Sequence, residues 1–339
     1  MILRPKPSLP RVASLPGTAV ATPGATVPTW LRRAIPDAQS LAAQSLEDVA
    51  LTAGVAIGAL DAVVRRREPW TGAWRQRLAL SAAAVTAKQA GRVEDEATLR
   101  DAVLLTKAGD DVGPAGLLLL AWRRLAMRPA EDLLTEKNLA AVLEEFGYAP
   151  DHEVISDLAD ELRRLGIGAG LAERLTGAFV AAEQYGFGRA VGAWLADALV
   201  AQRLGWTHAV PLLGAEVNAA GPGRPRRSET PIAASVDDGR SQMKIQFAAQ
   251  ARAALRAVDL SAELGRKADR LLMVAPRLRA KAADTVVDRL LNEDALAASR
   301  GNTKTGMSDR GLRRLFDRLI ELGAVRELSG RTTFRIYGL

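Results

Sequence analysis

The chain has 339 residues, no cysteine and a formal net charge of +7, so it is long enough to bury one large core or two. The lack of cysteine excludes disulfides and thiolate metal sites, and it favours a reducing compartment. No apolar run approaches the length of a membrane span, and residues 1–28 lack the apolar core of a signal peptide. We therefore expect a cytoplasmic protein that makes no contact with a membrane.

The charge is divided unevenly along the chain. Residues 31–210 contain 20 Lys and Arg against 24 Asp and Glu, a net charge of −4, whereas residues 241–339 contain 19 against 11, a net charge of +8. An acidic body with a basic C-terminal third is typical of a protein that meets a polyanion with one end only.

Residues 1–28 are rich in Pro, Ala, Thr and Gly without periodicity, which predicts a disordered N-terminal segment. From residue 29 to residue 213 apolar side chains recur at helical spacing, and Gly and Pro stand where helices end or begin. This pattern predicts an all-helical body. Its predicted helices span residues 39–67, 72–90, 94–107, 114–127, 131–146, 151–165, 169–185 and 187–204.

Residues 214–240 interrupt the helical pattern with Pro, Gly and charged side chains, which predicts a flexible linker or surface loop. The next segment, 241–275, predicts one long connecting helix that ends before Pro276. This helix either joins the body to the C-terminus or pairs with its copy in a homodimer. Its apolar spacing is too irregular to predict a coiled coil.

Residues 276–339 carry the succession of elements found in a winged helix-turn-helix. Residues 281–292 predict its first helix, residues 294–299 a short middle helix, and residues 301–306 a loop. The predicted fold class is therefore mainly α, with a multi-helix body and a C-terminal winged helix-turn-helix that carries one β-hairpin.

The third helix of this motif has the clearest signals. Ser308 is a good N-cap because its hydroxyl can accept from a free backbone N–H of the first turn. Gly323 supplies the left-handed conformation that commonly ends a helix. Five apolar side chains at helical spacing form the predicted inner stripe: Leu312, Leu315, Phe316, Leu319 and Ile320.

A β-hairpin with a two-residue connection is predicted after this helix. Its strands span 325–328 and 331–337, and the connection at 329–330 contains a glycine that can take positive φ. On the second strand, Phe334 and Ile336 share one face, and we expect that face to pack against the helix.

Cationic side chains crowd the N-terminal half of the third helix, the half that a recognition helix usually points into the major groove. We therefore predict double-stranded DNA as the partner, and a transcriptional or plasmid-linked regulator as the function. Arg310, Arg313 and Arg314 are predicted to contact base edges or groove phosphates. Ser308 and Lys304 are predicted to contact the DNA backbone. Arg331, at the wing tip, is predicted to contact the minor groove or a phosphate.

Other functions stay open at this stage. Winged helices also dock on proteins, so the alternative is a non-enzymatic helical interaction module with a protein partner, in which the arginines form only a solvated face. The chain contains no P-loop, dinucleotide fingerprint or nucleophile elbow. We therefore predict no enzyme, no cofactor and no metal site.

Weaker candidates have ordinary structural explanations. His152 and His208 have no ligand spacing around them, so we interpret them as capping or surface histidines. Asp110 and Asp111 precede a helix start, where the helix dipole favours carboxylates, and a cation site is the alternative. Five tryptophans in apolar contexts either pack in the core or line a ligand pocket: Trp70, Trp74, Trp122, Trp194 and Trp206.

Several longer stretches have a specific composition. They are PWTGAWRQRLAL at 69–80, GRVEDEATLRDAVLL at 91–105, GDDVGPAGLLLLAWRRL at 109–125, residues 204–206 with 210–213, and residues 307–339. These stretches resemble a bacterial, rhizobial-type family known as domain of unknown function 1403. The resemblance implies a helical protein with a winged-helix-like C-terminal segment, and it implies no activity, cofactor or site residue.

Overall fold

The computed structural model describes residues 27–339, apart from 36, 38, 39, 108, 220–235, 279, 281, 299–306 and 332. The described part is mainly helical, with a small antiparallel sheet near the C-terminus. Its helices are α1 (Thr29–Ala34), α2 (Leu46–Arg65), α3 (Thr71–Gln89), α4 (Glu96–Leu104), α5 (Gly113–Met127), α6 (Glu136–Glu145), α7 (His152–Gly168), α8 (Leu171–Gln184), α9 (Arg189–Leu204), α10 (Val236–Val274), α11 (Ala283–Asn292) and α12 (Asp309–Glu321). Its strands are β1 (Leu296–Ala297), β2 (Arg326–Glu327) and β3 (Ile336–Gly338).

Helix α9 lies at the centre of the body. All of its residues from 191 to 201 are buried, as expected for a helix that is covered on every side. Gly192 permits α8 to approach closely, because a Cβ at this position would lie 2.8 Å from the ring of Phe179. Trp194 donates a hydrogen bond from Nε1 to the carbonyl of Ala121 on α5, over 2.9 Å, so the core tryptophan also ties two helices together.

Helix α10 packs lengthwise against α2, and this contact makes it part of the body. It begins at Val236, inside the segment predicted as a linker. None of the helices in the described ranges is both long enough and apolar enough to span a membrane.

The linker prediction for residues 214–240 is also wrong at its start. Residues Leu213–Ala219 form a 3-10 helix that packs against α3, α9 and α10. Buried acidic side chains hold it there: Asp197 accepts from the backbone N–H groups of Leu212 and Leu213, and Glu216 pairs with two arginines of α10. The centre of the predicted linker, residues 220–235, lies outside the described part, as do residues 1–26 of the predicted disordered segment.

Two of the predicted body helices are each divided in two. The predicted helix 39–67 consists of a 3-10 turn, Ser40–Ala43, and α2. Ser45 separates them because its hydroxyl accepts from the N–H of Asp48 and starts a new helix. The predicted helix 131–146 likewise consists of a 3-10 turn, Ala130–Asp132, followed by α6.

We refer to residues 283–339 as the C-terminal unit. It contains α11, β1, α12, β2 and β3 in that order, and the strands form an antiparallel sheet in the order β1-β3-β2. Tyr337 of β3 is opposite Leu296 on one side and Glu327 on the other. Its ring stacks on that of Phe316, with centroids 4.2 Å apart, so sheet and helix share a buried aromatic pair.

The structure corrects three predictions in this unit. Residues 294–298 do not form a short middle helix, because Leu296 and Ala297 pair with β3 as a third strand; residue 299 lies outside the described part. The hairpin connection is longer than residues 329–330, because the last pair before it is Glu327 with Tyr337. Phe334 does not pack on the helix: its φ of 55° turns the chain away before β3 begins, and its side chain is 52% exposed.

Candidate nucleic-acid interface

Helix α12 begins and ends at the residues that the sequence analysis predicted. Its first turn is capped by the Ser308 hydroxyl, which accepts from the backbone N–H of Gly311 over 3.2 Å, and it ends before Gly323 at φ 64°. Four of the five predicted inner residues are buried, Leu312, Leu315, Phe316 and Leu319. The fifth, Ile320, is partly exposed at 37%.

The outer face of α12 carries arginines at 310, 313, 314 and 318. Arg310, Arg313 and Arg314 are all exposed, and within the described part of the chain none of them forms an ion pair. Arg318 differs, because its guanidinium is 2.9 Å from the Glu321 carboxylate one turn later. The unpaired positive charge is therefore concentrated in the N-terminal half of the helix.

A groove separates this face from the hairpin loop, which we define as the described residues between β2 and β3, 328–331 and 333–335. It encloses about 300 Å³, and Arg313 and Asp317 line it from the helix side. Phe334 and Arg335 line it from the loop side. The loop therefore lies beside the arginine face and does not cover it. It adds an exposed aromatic ring and the guanidinium of Arg335, which is 3.7 Å from the Glu327 carboxylate.

The structure places the remaining predicted contacts differently. Ser308 is exposed at the start of α12, next to the arginines. Arg331 lies 2.5 Å from a carboxylate oxygen of Asp101 on α4, so its charge is neutralised within the protein. Lys304 lies outside the described residues.

A buried ion cluster joins the C-terminal unit to the body. Asp294, whose carboxylate is fully buried, accepts from Nε of Arg77 on α3 and from Nε of Arg100 on α4, the latter over 2.6 Å. Burial by itself raises the pKa of the Asp294 carboxyl, but the two guanidinium charges outweigh it, and the pKa lies below its usual value. Gln76 adds a hydrogen bond from Nε2 to the carbonyl of Asn292, over 2.9 Å.

Sequence reasoning missed this cluster and the exposed residues of the hairpin loop. The partners of Asp294 lie 217 and 194 positions away along the chain, so no local pattern marks them. The alternating pattern around Phe334 predicted a buried strand residue.

A family model described as a protein of unknown function, DUF1403, matches residues 19–339. The chain belongs to this family. The match includes every described residue, so the helical body and the C-terminal unit are parts of one family pattern. No curated protein and no solved structure matches the chain.

The other candidate residues of this family member are dispersed. His152 is exposed and lies 3.7 Å from Glu136, whereas His208 is half-buried in a different region. Asp111 accepts from the backbone N–H of Gly113 over 2.7 Å, which is the turn-stabilising role expected at a helix start. Within the described ranges, no group of three or more histidines and acids is arranged to hold a metal ion.

Proposed function

We propose that this protein binds double-stranded DNA through the outer face of α12 and acts as a transcriptional or plasmid-linked regulator. The main support is the set of three exposed arginines, Arg310, Arg313 and Arg314, which form no ion pair within the described part. Exposed guanidinium groups that lack an internal counterion are free to bind phosphate or the edge of a guanine.

The order of elements in the C-terminal unit supports the same proposal. Its described elements are a helix, a strand, a second helix and two further strands, and the last strand is central in the sheet. This order is compatible with a winged helix in which α12 would be the recognition helix. The hairpin loop corresponds to the wing.

In this proposal, Arg310, Arg313 and Arg314 enter the major groove, and the exposed Ser308 hydroxyl contacts the backbone. Arg335 lies across the groove from Arg313, but its guanidinium is 3.7 Å from the Glu327 carboxylate. Arg331 is likewise held by Asp101, so both arginines contribute less than the three arginines of α12.

A binding titration tests the proposal. A fluorescently labelled duplex of mixed sequence is titrated at low salt with the wild-type protein and with the triple variant Arg310→Gln, Arg313→Gln, Arg314→Gln. The matched control removes the same charge from exposed arginines of the body, as Arg66→Gln, Arg128→Gln, Arg203→Gln. We expect the α12 variant to lose at least about a hundredfold in affinity, because each charge-assisted contact of an arginine with DNA is typically worth about 1.5–3 kcal/mol.

The control variant is expected to lose less than about tenfold, since it changes only the long-range field of the protein. If the wild-type protein binds no duplex at low salt, the proposal is wrong. Equal losses in the two triple variants would also contradict it, because binding would then follow net charge and not the α12 face.

One observation favours a second function, docking of the C-terminal unit on a protein. Phe334 exposes about half of its side chain next to the groove at Arg313, and exposed aromatic rings beside arginines are common at protein interfaces. Association that persists after nuclease treatment, disappears in Phe334→Ser and survives the α12 triple variant would identify this function in place of DNA binding.

A further inference from the structure

A second cavity lies in the helical body, away from α12. It encloses about 270 Å³ between the end of α2, the start of α3 and the segment that follows α9. Its walls are of two kinds. One is cationic and contains Arg65, Arg67 and Arg75, whereas the other contains the apolar side chains of Trp74, Trp206 and Val210.

Only one of the three arginines in the cationic wall forms an ion pair within the described part of the chain. Arg65 is satisfied, because it pairs with Asp61 over 2.7 Å and donates to the carbonyl of Leu204. Arg75 donates from Nε to the carbonyl of Ala126 over 2.8 Å, but within the described part no carboxylate lies within ion-pair distance of it. Burial lowers the pKa of Arg75 to about 10, which is the expected effect when a cation leaves water without a counterion.

Arg67 completes this wall in an unusual backbone conformation. Its φ of 49° is in the left-handed region, which costs a residue other than glycine about 1 kcal/mol. A backbone hydrogen bond from its N–H to the carbonyl of Val64 holds the turn, over 3.3 Å. The turn places an exposed arginine that forms no ion pair within the described part at the rim of the cavity.

Neutral polar groups lie between the two walls. Thr71 and Thr207 line the cavity, as does His208. Burial, together with the positive charge of Arg75, lowers the pKa of His208, so the imidazole is neutral at physiological pH. Glu68 is the one carboxylate among the lining residues, and it forms no ion pair in the described part.

We propose that this cavity binds a small organic acid, with its carboxylate or phosphate against Arg67 and Arg75 and its apolar part against Trp74 and Trp206. The cavity is large enough for a ligand with a single ring or a short chain. Its volume of about 270 Å³ is close to that of the smallest ligand pockets, which is about 300 Å³. A guanidinium binds either oxyanion through paired hydrogen bonds. This site is independent of the proposed DNA contact.

The chain offers a direct readout because it contains only two histidines. His208 lines the cavity, whereas His152 is on the exposed start of α7 and serves as an internal reference. Benzoate and phenyl phosphate are titrated separately to millimolar concentration at constant pH and ionic strength, with benzamide as the uncharged analogue of benzoate. We expect at least one of the two acids to shift the NMR signals of the His208 ring and to leave those of His152 in place.

Variants then test which side chains hold the acid. Arg75→Gln and Arg67→Gln are each expected to weaken binding about tenfold, the loss of one charge-assisted interaction. Arg66→Gln is the matched control, because Arg66 is an exposed neighbour that does not line the cavity, and it is expected to change affinity less than twofold. Arg67 is exposed, so its variant tests the site even if Arg75→Gln fails to fold.

The relative effects of benzoate and phenyl phosphate distinguish a carboxylate from a phosphate ligand. Three outcomes would overturn the proposal. They are an absence of any His208 shift with both acids, an equal shift with benzamide, and an equal loss of affinity in Arg66→Gln and Arg67→Gln.

Discussion

The Asp294 cluster and the outer face of α12 are both rich in arginine, and the structure uses the two sets in opposite ways. At the cluster, Arg77 and Arg100 share one buried carboxylate, and this arrangement fixes the C-terminal unit to the body. On α12, the arginines at 310, 313 and 314 form no ion pair within the described part. The role of an arginine in this protein therefore depends on whether a carboxylate faces it. Only the second set has charge left for a polyanion.

Removing the shared carboxylate is the largest expected perturbation. Asp294→Ala leaves two largely buried guanidinium groups without a counterion, which typically destabilises a protein by about 3–5 kcal/mol. Urea denaturation measures the change. Asp288→Asn, an exposed acid on α11, is the control and is expected to change stability by less than about 0.5 kcal/mol.

The same cluster predicts a pH dependence of stability. The pKa of Asp294 is lowered in the folded state, so its contribution is present above the pKa of the unfolded chain and is lost as the pH falls through the folded pKa. The destabilisation caused by Asp294→Ala is therefore expected to shrink in acid. A loss that is independent of pH would show that the carboxylate charge does not hold the unit.

Asp197 is a buried acid that, unlike Asp294, has no arginine partner within the described part of the chain. Burial raises its pKa to about 8, although it accepts two backbone hydrogen bonds, from Leu212 and Leu213. A raised folded pKa makes stability fall as the pH rises from about 4 to about 8, because only the unfolded chain ionises freely in that range.

Asp197→Asn keeps the acceptor for both N–H groups and removes this ionisation. We expect the stability of the variant, relative to that of the wild type, to rise by about 4 kcal/mol between pH 4 and neutral pH. Thermal denaturation at several pH values checks it. A variant that is less stable at neutral pH would contradict the pKa assigned to Asp197.

Arg331 tests an exposed ion pair and gives a smaller effect. Its guanidinium is about half exposed next to Asp101, and pairs of this kind contribute about 0.2–1 kcal/mol. Arg331→Ala is expected to lower stability within that range in denaturant titrations, and the loss should decrease at high salt. A larger loss that salt does not change would place this arginine with the buried cluster.

The smallest effect is expected for the α12 arginines themselves. Arg310→Gln, Arg313→Gln and Arg314→Gln together are expected to change the free energy of unfolding by no more than about 0.5 kcal/mol, since exposed side chains without partners contribute little to stability. Thermal denaturation and circular dichroism check this prediction. A strong destabilisation would mean that these residues have a structural role, and the contrast with Asp294 would disappear.

How much of the fold was predictable depends on whether a feature is local in the sequence. Helix α12 was predicted from its cap at Ser308 to its end before Gly323, because capping and apolar spacing act within a few residues. Strand β1 was missed because a two-residue strand has no periodicity, and its pairing with β3 joins residues about 40 positions apart.

For the candidate site, the sequence identified the arginines of α12. It did not show which of the predicted contact residues form ion pairs within the protein. The Arg331 contact comes from α4, more than two hundred positions earlier, and only the folded chain brings that carboxylate near. The exposure of Phe334 depends on its left-handed backbone conformation, which side-chain alternation does not predict. Trp74 and Trp206 are both buried, which confirms the core-packing alternative for these two residues. They also line the cavity for which we propose a ligand.

The salt dependence of duplex binding measures whether the arginines of α12 contact DNA phosphates. For each phosphate that a protein neutralises, the slope of log K against log salt concentration becomes more negative by about 0.9. We predict that the α12 triple variant has a slope shallower than that of the wild type by about 2–3, while the body triple variant keeps the wild-type slope. Identical slopes in the wild type and the α12 variant would contradict the prediction, because these arginines would then neutralise no DNA phosphate.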